Sequence, residues 1–244
     1  MKDLKIENIE IPIIADKVIL KGSIYYTSKT PSKAPWVIIL AGFLAHRGSD
    51  FVKVFIEKFV SKGFYVLSYD YRGHGENIEN INKFDLYRIT PKIFSDVHEV
   101  VSWVVETQFN RLLEKKLILF GRSYGGAIVL TYGFIDERIN YLIALCARYD
   151  YSTVQLKIPD DLKINMSKKI SPKYFLKNSP INNERILLAH CKDDKRIPFE
   201  NVLEIKEHLG LREENVFIYE TGGHSFEGHK DHLFNSIIEF LKKI

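Results

Sequence analysis

The sequence predicts an α/β fold: a mostly parallel central sheet of about eight strands with helices on both faces. Three observations predict it. Short apolar runs alternate with amphipathic segments along most of the chain. One run, Leu117-Ile118-Leu119-Phe120, enters Gly121-Arg122-Ser123-Tyr124-Gly125-Gly126 and passes at once into helix-compatible Ala127-Ile128-Val129-Leu130. That is a strand, a very tight turn and a helix, with a serine at the apex. Two later apolar runs, 185–190 and 215–219, each lead into a loop bearing an acid or a histidine.

Residues 6–14 and 18–26 alternate enough to form an antiparallel pair. Residues 36–40 and 65–69 are apolar strands. Between them, 50–62 has helical spacing, with Phe51, Val54, Phe55, Phe59 and Val60 on one face and Gly63 as its stop. Thr90-Pro91 predicts a helix start, with Thr90 as cap and Pro91 in the first turn, running through Trp103 and Val104. Residues 117–120 form the strand before the serine, 139–147 the next strand, and 235–241 a closing helix. No repeat, low-complexity tract or linker interrupts 1–244, which predicts a single domain.

A serine hydroxyl is a weak nucleophile near neutrality. It needs a base to take its proton, and the base needs a group to orient it. Gly121 and Gly125 are the small residues such a turn requires on either side of Ser123. Cys191-Lys192-Asp193-Asp194-Lys195-Arg196-Ile197-Pro198 offers the orienting acid, and Gly222-Gly223-His224 offers the base. Each lies just past the C-terminal end of an expected strand, the edge at which sites assemble in parallel sheets.

These motifs resemble those of the α/β-hydrolase fold superfamily, and within it the small serine esterases of feruloyl and cinnamoyl type and the serine aminopeptidase and acyl-peptidase-like hydrolases. Gly121–Gly126 resembles the nucleophile elbow. His190 to Pro198 resembles the His-Gly-x-x-Asp-x-x-Val-Pro segment, which aligns the acid to Asp194 rather than Asp193. Gly222-Gly223-His224 resembles the histidine loop. Asp70-Tyr71-Arg72-Gly73-His74-Gly75-Glu76 resembles the Asp-x-Arg-Gly-x-Gly-x-Ser turn; read from the residues themselves, Asp70 and Arg72 could pair and pin it. Ala41-Gly42-Phe43 resembles the oxyanion-loop His-Gly-Phe, with Ala41 in place of the histidine, and Cys191 stands where the family has glycine. The resemblance implies a catalytic Ser123, Asp194 and His224, and an oxyanion hole formed by the Phe43 and Tyr124 amides. Phe43 and Leu44 are expected to line the acyl pocket.

The resemblance also places a short cap at 149–184, where Tyr149, Tyr151, Tyr174 and Phe175 are candidates to reach the cleft and the lysines form a solvated face. His46 and Arg47 flank the oxyanion loop, as solvated charges or as contacts for a carboxylate on the substrate. The function implied is a serine hydrolase acting on a small-molecule acyl ester. A serine aminopeptidase or acyl-peptidase-like amide hydrolase, and a ligand-binding protein that retains the triad, are the alternatives.

A net charge of +4, with Lys and Arg interleaved with Asp and Glu, gives no basic stripe and argues against nucleic-acid binding. No apolar run is long enough for a membrane span, and Met1-Lys2-Asp3-Leu4-Lys5 lacks the apolar core of a signal peptide. With only Cys146 and Cys191, the expectation is a cytoplasmic protein with two free thiols, a bridge between them remaining open. The mechanism calls for no cofactor and no metal, and the histidines show no zinc-site spacing. Oligomeric state is not readable from these residues.

Overall fold

The computed structural model describes residues 3–78 and 82–242. The strands are β1 (Leu4–Ile13), β2 (Val18–Thr27), β3 (Ala34–Leu40), β4 (Tyr65–Tyr69), β5 (Leu112–Arg122), β6 (Tyr141–Leu145), β7 (Ile186–Cys191) and β8 (Val216–Tyr219). The α-helices are α1 (Asp50–Ser61), α2 (Lys83–Thr107), α3 (Tyr124–Val129), α4 (Tyr132–Ile135), α5 (Asp160–Ile170), α6 (Asn182–Arg185), α7 (Glu200–Leu209) and α8 (Lys230–Lys242). The strands form one sheet in the order β1-β2-β4-β3-β5-β6-β7-β8. β1 with β2 and β2 with β4 are antiparallel, and the remaining pairs are parallel.

Burial explains why the inner strands read as unbroken apolar runs. Every residue of β4, β6 and β7 is buried, which requires cover on both faces of the sheet. Phe55 and Phe59 of α1 pack on Phe120 of β5 and Phe234 of α8, with ring centroids 4.7–6.4 Å apart. β1, at the sheet edge, alternates instead, because one of its faces meets water.

The helix expected from Thr90-Pro91 starts earlier. α2 begins at Lys83, where the Asn82 side chain accepts the Phe84 and Asp85 amides and caps it. Pro91 is therefore internal. It removes the amide that would bond the Tyr87 carbonyl, while the Thr90 hydroxyl donates to the Leu86 carbonyl at 3.0 Å. The anchoring of Ile93, Phe94, Val97, Val100, Val101 and Val104, all buried, outweighs that loss. The last helix also starts five residues before the expected Asn235, at Lys230.

Candidate active site

Ser123 sits between β5 and α3 at φ 60° and ψ −115°, a conformation costly for any residue with a Cβ. The Ser123 amide donates to the Leu145 carbonyl at 2.8 Å, so the end of β6 fixes the turn. The neighbouring glycines are sterically required. A Cβ on Gly121 would lie 2.3 Å from the Gly125 carbonyl oxygen, and one on Gly125 would lie 2.3 Å from that of Leu40. This close approach presses the loop after β3 against the serine turn: a Cβ on Gly42 would stand 3.9 Å from that of Ser123. Ala41, where the resembled motif has histidine, accepts the Tyr71 hydroxyl on its carbonyl at 2.9 Å.

Tyr124 opens α3, and the first amides of a helix have no intrahelical acceptor. Its ring is buried, and it packs 5.4 Å from Phe43. Phe43, Ser123 and Tyr124 line a common cavity of about 170 Å³ with Tyr151, Met166 and Ile197 among its other walls. Leu44 does not join them. It is exposed and faces a separate surface depression with His46 and Arg47.

Past β7, Asp194 is buried while Asp193 is exposed. Asp194 Oδ2 accepts His224 Nδ1 at 2.7 Å, and Oδ1 accepts the amides of Arg196 at 2.8 Å and Ile197 at 3.1 Å. Burial pushes this carboxyl up, but the His224 bond and the two amides outweigh it and hold it well below the usual carboxylate range. Asp193 acts elsewhere, accepting the amides of Gly222 at 3.2 Å and Gly223 at 2.7 Å. Adjacent aspartates thus hold the ring and the backbone of one histidine loop.

Arg122 is a contact that the sequence did not single out. Its guanidinium stacks 4.0 Å from the Phe51 ring centroid and donates to Ser225 Oγ at 2.8 Å and to the His224 carbonyl at 3.4 Å. The residue before the serine therefore braces the histidine loop. The variable position of the Gly-x-Ser-x-Gly pattern gives no sign of this, because the partners lie more than 100 residues downstream.

Beneath Asp194, Cys146, His190 and Asp194 place donor atoms within 4.8 Å of one another. These donors are already engaged. His190 Nε2 donates to the Ile197 carbonyl at 3.0 Å, and burial lowers its pKa. The Cys146 thiol hydrogen-bonds Asp194, and burial pushes that thiol up. Cys146 and Cys191 are both free.

Several expectations are corrected. Asp70 and Arg72 do not pair: Asp70 binds Arg47, whereas Arg72 binds Asp96 at 2.7 Å and Asp16 at 2.8 Å. Arg47, bound to Asp70 and Glu76, has no free charge to offer a substrate. Of the aromatic residues between β6 and β7, Tyr151 reaches the cavity. Tyr149 instead bonds His208, Phe175 packs on Tyr132 and Tyr174 is exposed.

The sheet order, the strained serine turn and the two loops past β7 and β8 define an α/β-hydrolase. More specifically, the serine aminopeptidase S33 family matches residues 31–185, more than half of the chain, and the chain belongs to that family. The quorum-quenching protein AidA of Acinetobacter baumannii (strain MDR-ZJ06) is 26% identical over 132 residues, covering 52% of this chain; the matched stretch spans 40% of that relative's length. Among solved structures, Est1E from Butyrivibrio proteoclasticus with bound ferulic acid superposes at a TM-score of 0.75 with 16% identity, covering 96% of this chain and 98% of that one. The acylaminoacyl peptidase of Pyrococcus horikoshii gives a TM-score of 0.75 at 17% identity, covering 99% of this chain and 42% of that one. DcsB, in complex with its substrate analogue, gives 0.76 at 16% identity, over 98% and 99% of the two chains. At these identities the likeness is one of fold. No helix among the described residues is long and apolar enough to cross a membrane.

Proposed function

We propose that this protein is a serine hydrolase that cleaves small carboxylic esters through an acyl-enzyme. The observation that carries the reading is the His224–Asp194 bond of 2.7 Å, made by a buried, ionised carboxylate at the same sheet edge as the strained Ser123 turn. Ser123 attacks the acyl carbonyl while His224 Nε2 takes its proton. Asp194 keeps the imidazole proton on Nδ1 and stabilises the imidazolium. The Phe43 and Tyr124 amides receive the oxyanion; losing one such donor costs on the order of 3 kcal/mol of barrier. The alcohol departs with the proton from His224, and water then releases the acid by the same sequence.

Residues 149–184 serve as a short cap, since Tyr151, Val154, Leu156, Met166 and Ile170 wall the cavity beside Ser123. A cavity of about 170 Å³ with largely apolar walls suits a short aliphatic or aromatic acyl group better than a peptide. The family match to serine aminopeptidases favours amide cleavage as the second reading.

Steady-state hydrolysis of p-nitrophenyl esters of rising chain length, beside aminoacyl and acyl-aminoacyl p-nitroanilides, tests both. Ester turnover lost in Ser123→Ala supports the esterase. Faster anilide turnover supports the peptidase, and turnover unchanged in Ser123→Ala would overturn both.

A further inference from the structure

The cavity beside Ser123 has one charged wall. Arg148, three residues past β6, lines it among aromatic and aliphatic side chains. Among the described residues no carboxylate pairs with it. Its hydrogen bond there runs from Nη2 to the Arg196 carbonyl at 3.2 Å, a neutral acceptor on the loop that carries Asp194. A guanidinium has five N–H donors in a rigid fork, so most of this one is uncommitted. It also lies near Tyr151, a cavity wall, where its charge opposes the upward push of burial on the phenol. The residue is half-buried and its bond to Arg196 lies at an exposed position, so the remaining donors are open to an anionic group entering the cavity.

We propose that Arg148 is a specificity residue that binds a carboxylate on the substrate, so that the preferred esters are anionic. This rests on the serine-hydrolase reading above and names its substrate class. A carboxylate fits because its two oxygens match the guanidinium fork and its single charge matches a single arginine. A phosphate monoester, carrying nearly two charges near neutrality, would leave one uncompensated in an apolar cavity. The apolar walls take the carbon spacer between the carboxylate and the scissile carbonyl. The carboxylate sits on either the acyl or the alcohol side of the ester, and matched substrates distinguish the two.

The test compares kcat/KM for two pairs of esters in wild type, Arg148→Met and Arg148→Gln. The acyl-side pair is the mono-p-nitrophenyl ester of adipic acid against p-nitrophenyl hexanoate. The alcohol-side pair is p-carboxyphenyl butyrate against phenyl butyrate. Comparing ratios across proteins cancels intrinsic leaving-group reactivity. In one pair the anionic-to-neutral ratio falls by about 10-fold or more in both variants, the size of a hydrogen bond to a charged group. Arg148→Gln can keep the bond to the Arg196 carbonyl while removing the charge, so it carries the test if Arg148→Met fails to fold. A ratio unchanged in both pairs overturns the proposal while leaving the esterase reading intact. If wild type turns over no ester, that reading fails by itself. Calorimetric titration with adipate and hexanoate then decides: adipate binding lost in Arg148→Gln supports the carboxylate site, and equal binding in wild type and variant overturns it.

Discussion

Asp193 and Asp194 are neighbours with the same side chain, and exchanging each for asparagine separates their roles. In Asp194→Asn the amide oxygen can keep the Arg196 and Ile197 amides, at 2.8 and 3.1 Å in the parent, which turns the new NH₂ toward His224 Nδ1. A donor facing Nδ1 moves the imidazole proton to Nε2, the atom that must accept the serine proton. This tautomer error costs on the order of 10⁴-fold in kcat in a triad, or about 5 kcal/mol of barrier. Asp193→Asn keeps one oxygen for the Gly223 amide and loses the longer, 3.2 Å bond that the other oxygen accepts from Gly222, at an exposed position. That is worth about 1 kcal/mol, less than about 10-fold in rate. The assay is kcat/KM on p-nitrophenyl butyrate, with thermal midpoints showing both variants folded. Asp193→Asn should exceed Asp194→Asn by roughly 10³-fold. Equal losses, or Asp194→Asn keeping a tenth of wild-type activity, would refute the assignment of the acid.

Other perturbations have equally definite outcomes. Gly125→Ala forces a Cβ to within 2.3 Å of the Leu40 carbonyl oxygen, backbone against backbone; urea unfolding should show a loss of about 1–3 kcal/mol or more, and an unchanged midpoint would contradict the close approach. Because the Asp194 pKa is depressed on folding, its stabilisation is fully present above the unfolded value near pH ~4 and declines as pH falls from there toward the folded value. The stability gap between wild type and Asp194→Asn should therefore narrow below about pH 4; a gap constant from neutrality to about pH 3 would count against it. Burial pushes the Cys191 thiol up to about 12 and raises that of Cys146 as well, so neither is a thiolate at pH ~8. Ellman's reagent should label neither in the native protein and both in denaturant; rapid native labelling would show an open path to one of them.

The legible parts of this chain were those set by local chemistry. The inner strands announced themselves because burial on both faces makes them uniformly apolar, and the serine turn because no other residue can replace its glycines. The illegible parts depended on distant partners. Asp70 and Arg72, two residues apart in the turn after β4, look like a pair until Arg47, Asp16 and Asp96 arrive from 23 to 56 residues away. Thr90-Pro91 satisfies the local rule for a helix start. The better signal was Asn82 followed by Asp85, a cap with an acid in the first turn, which a proline nearby obscured. Arg122 and Arg148 occupy positions that no local pattern constrains, and only the folded sheet gives them partners.

The sheet order also has a consequence for the order of synthesis. Once β6 has been made, the chain holds six adjoining strands and the Leu145 carbonyl that fixes the Ser123 turn. Asp194 follows β7, and His224 comes only after β8. On the proposed mechanism, a nascent chain emerging from the ribosome can thus set its serine turn and still be chemically inert. It gains the proposed proton acceptor, His224, only after β8 has added the last strand of the sheet.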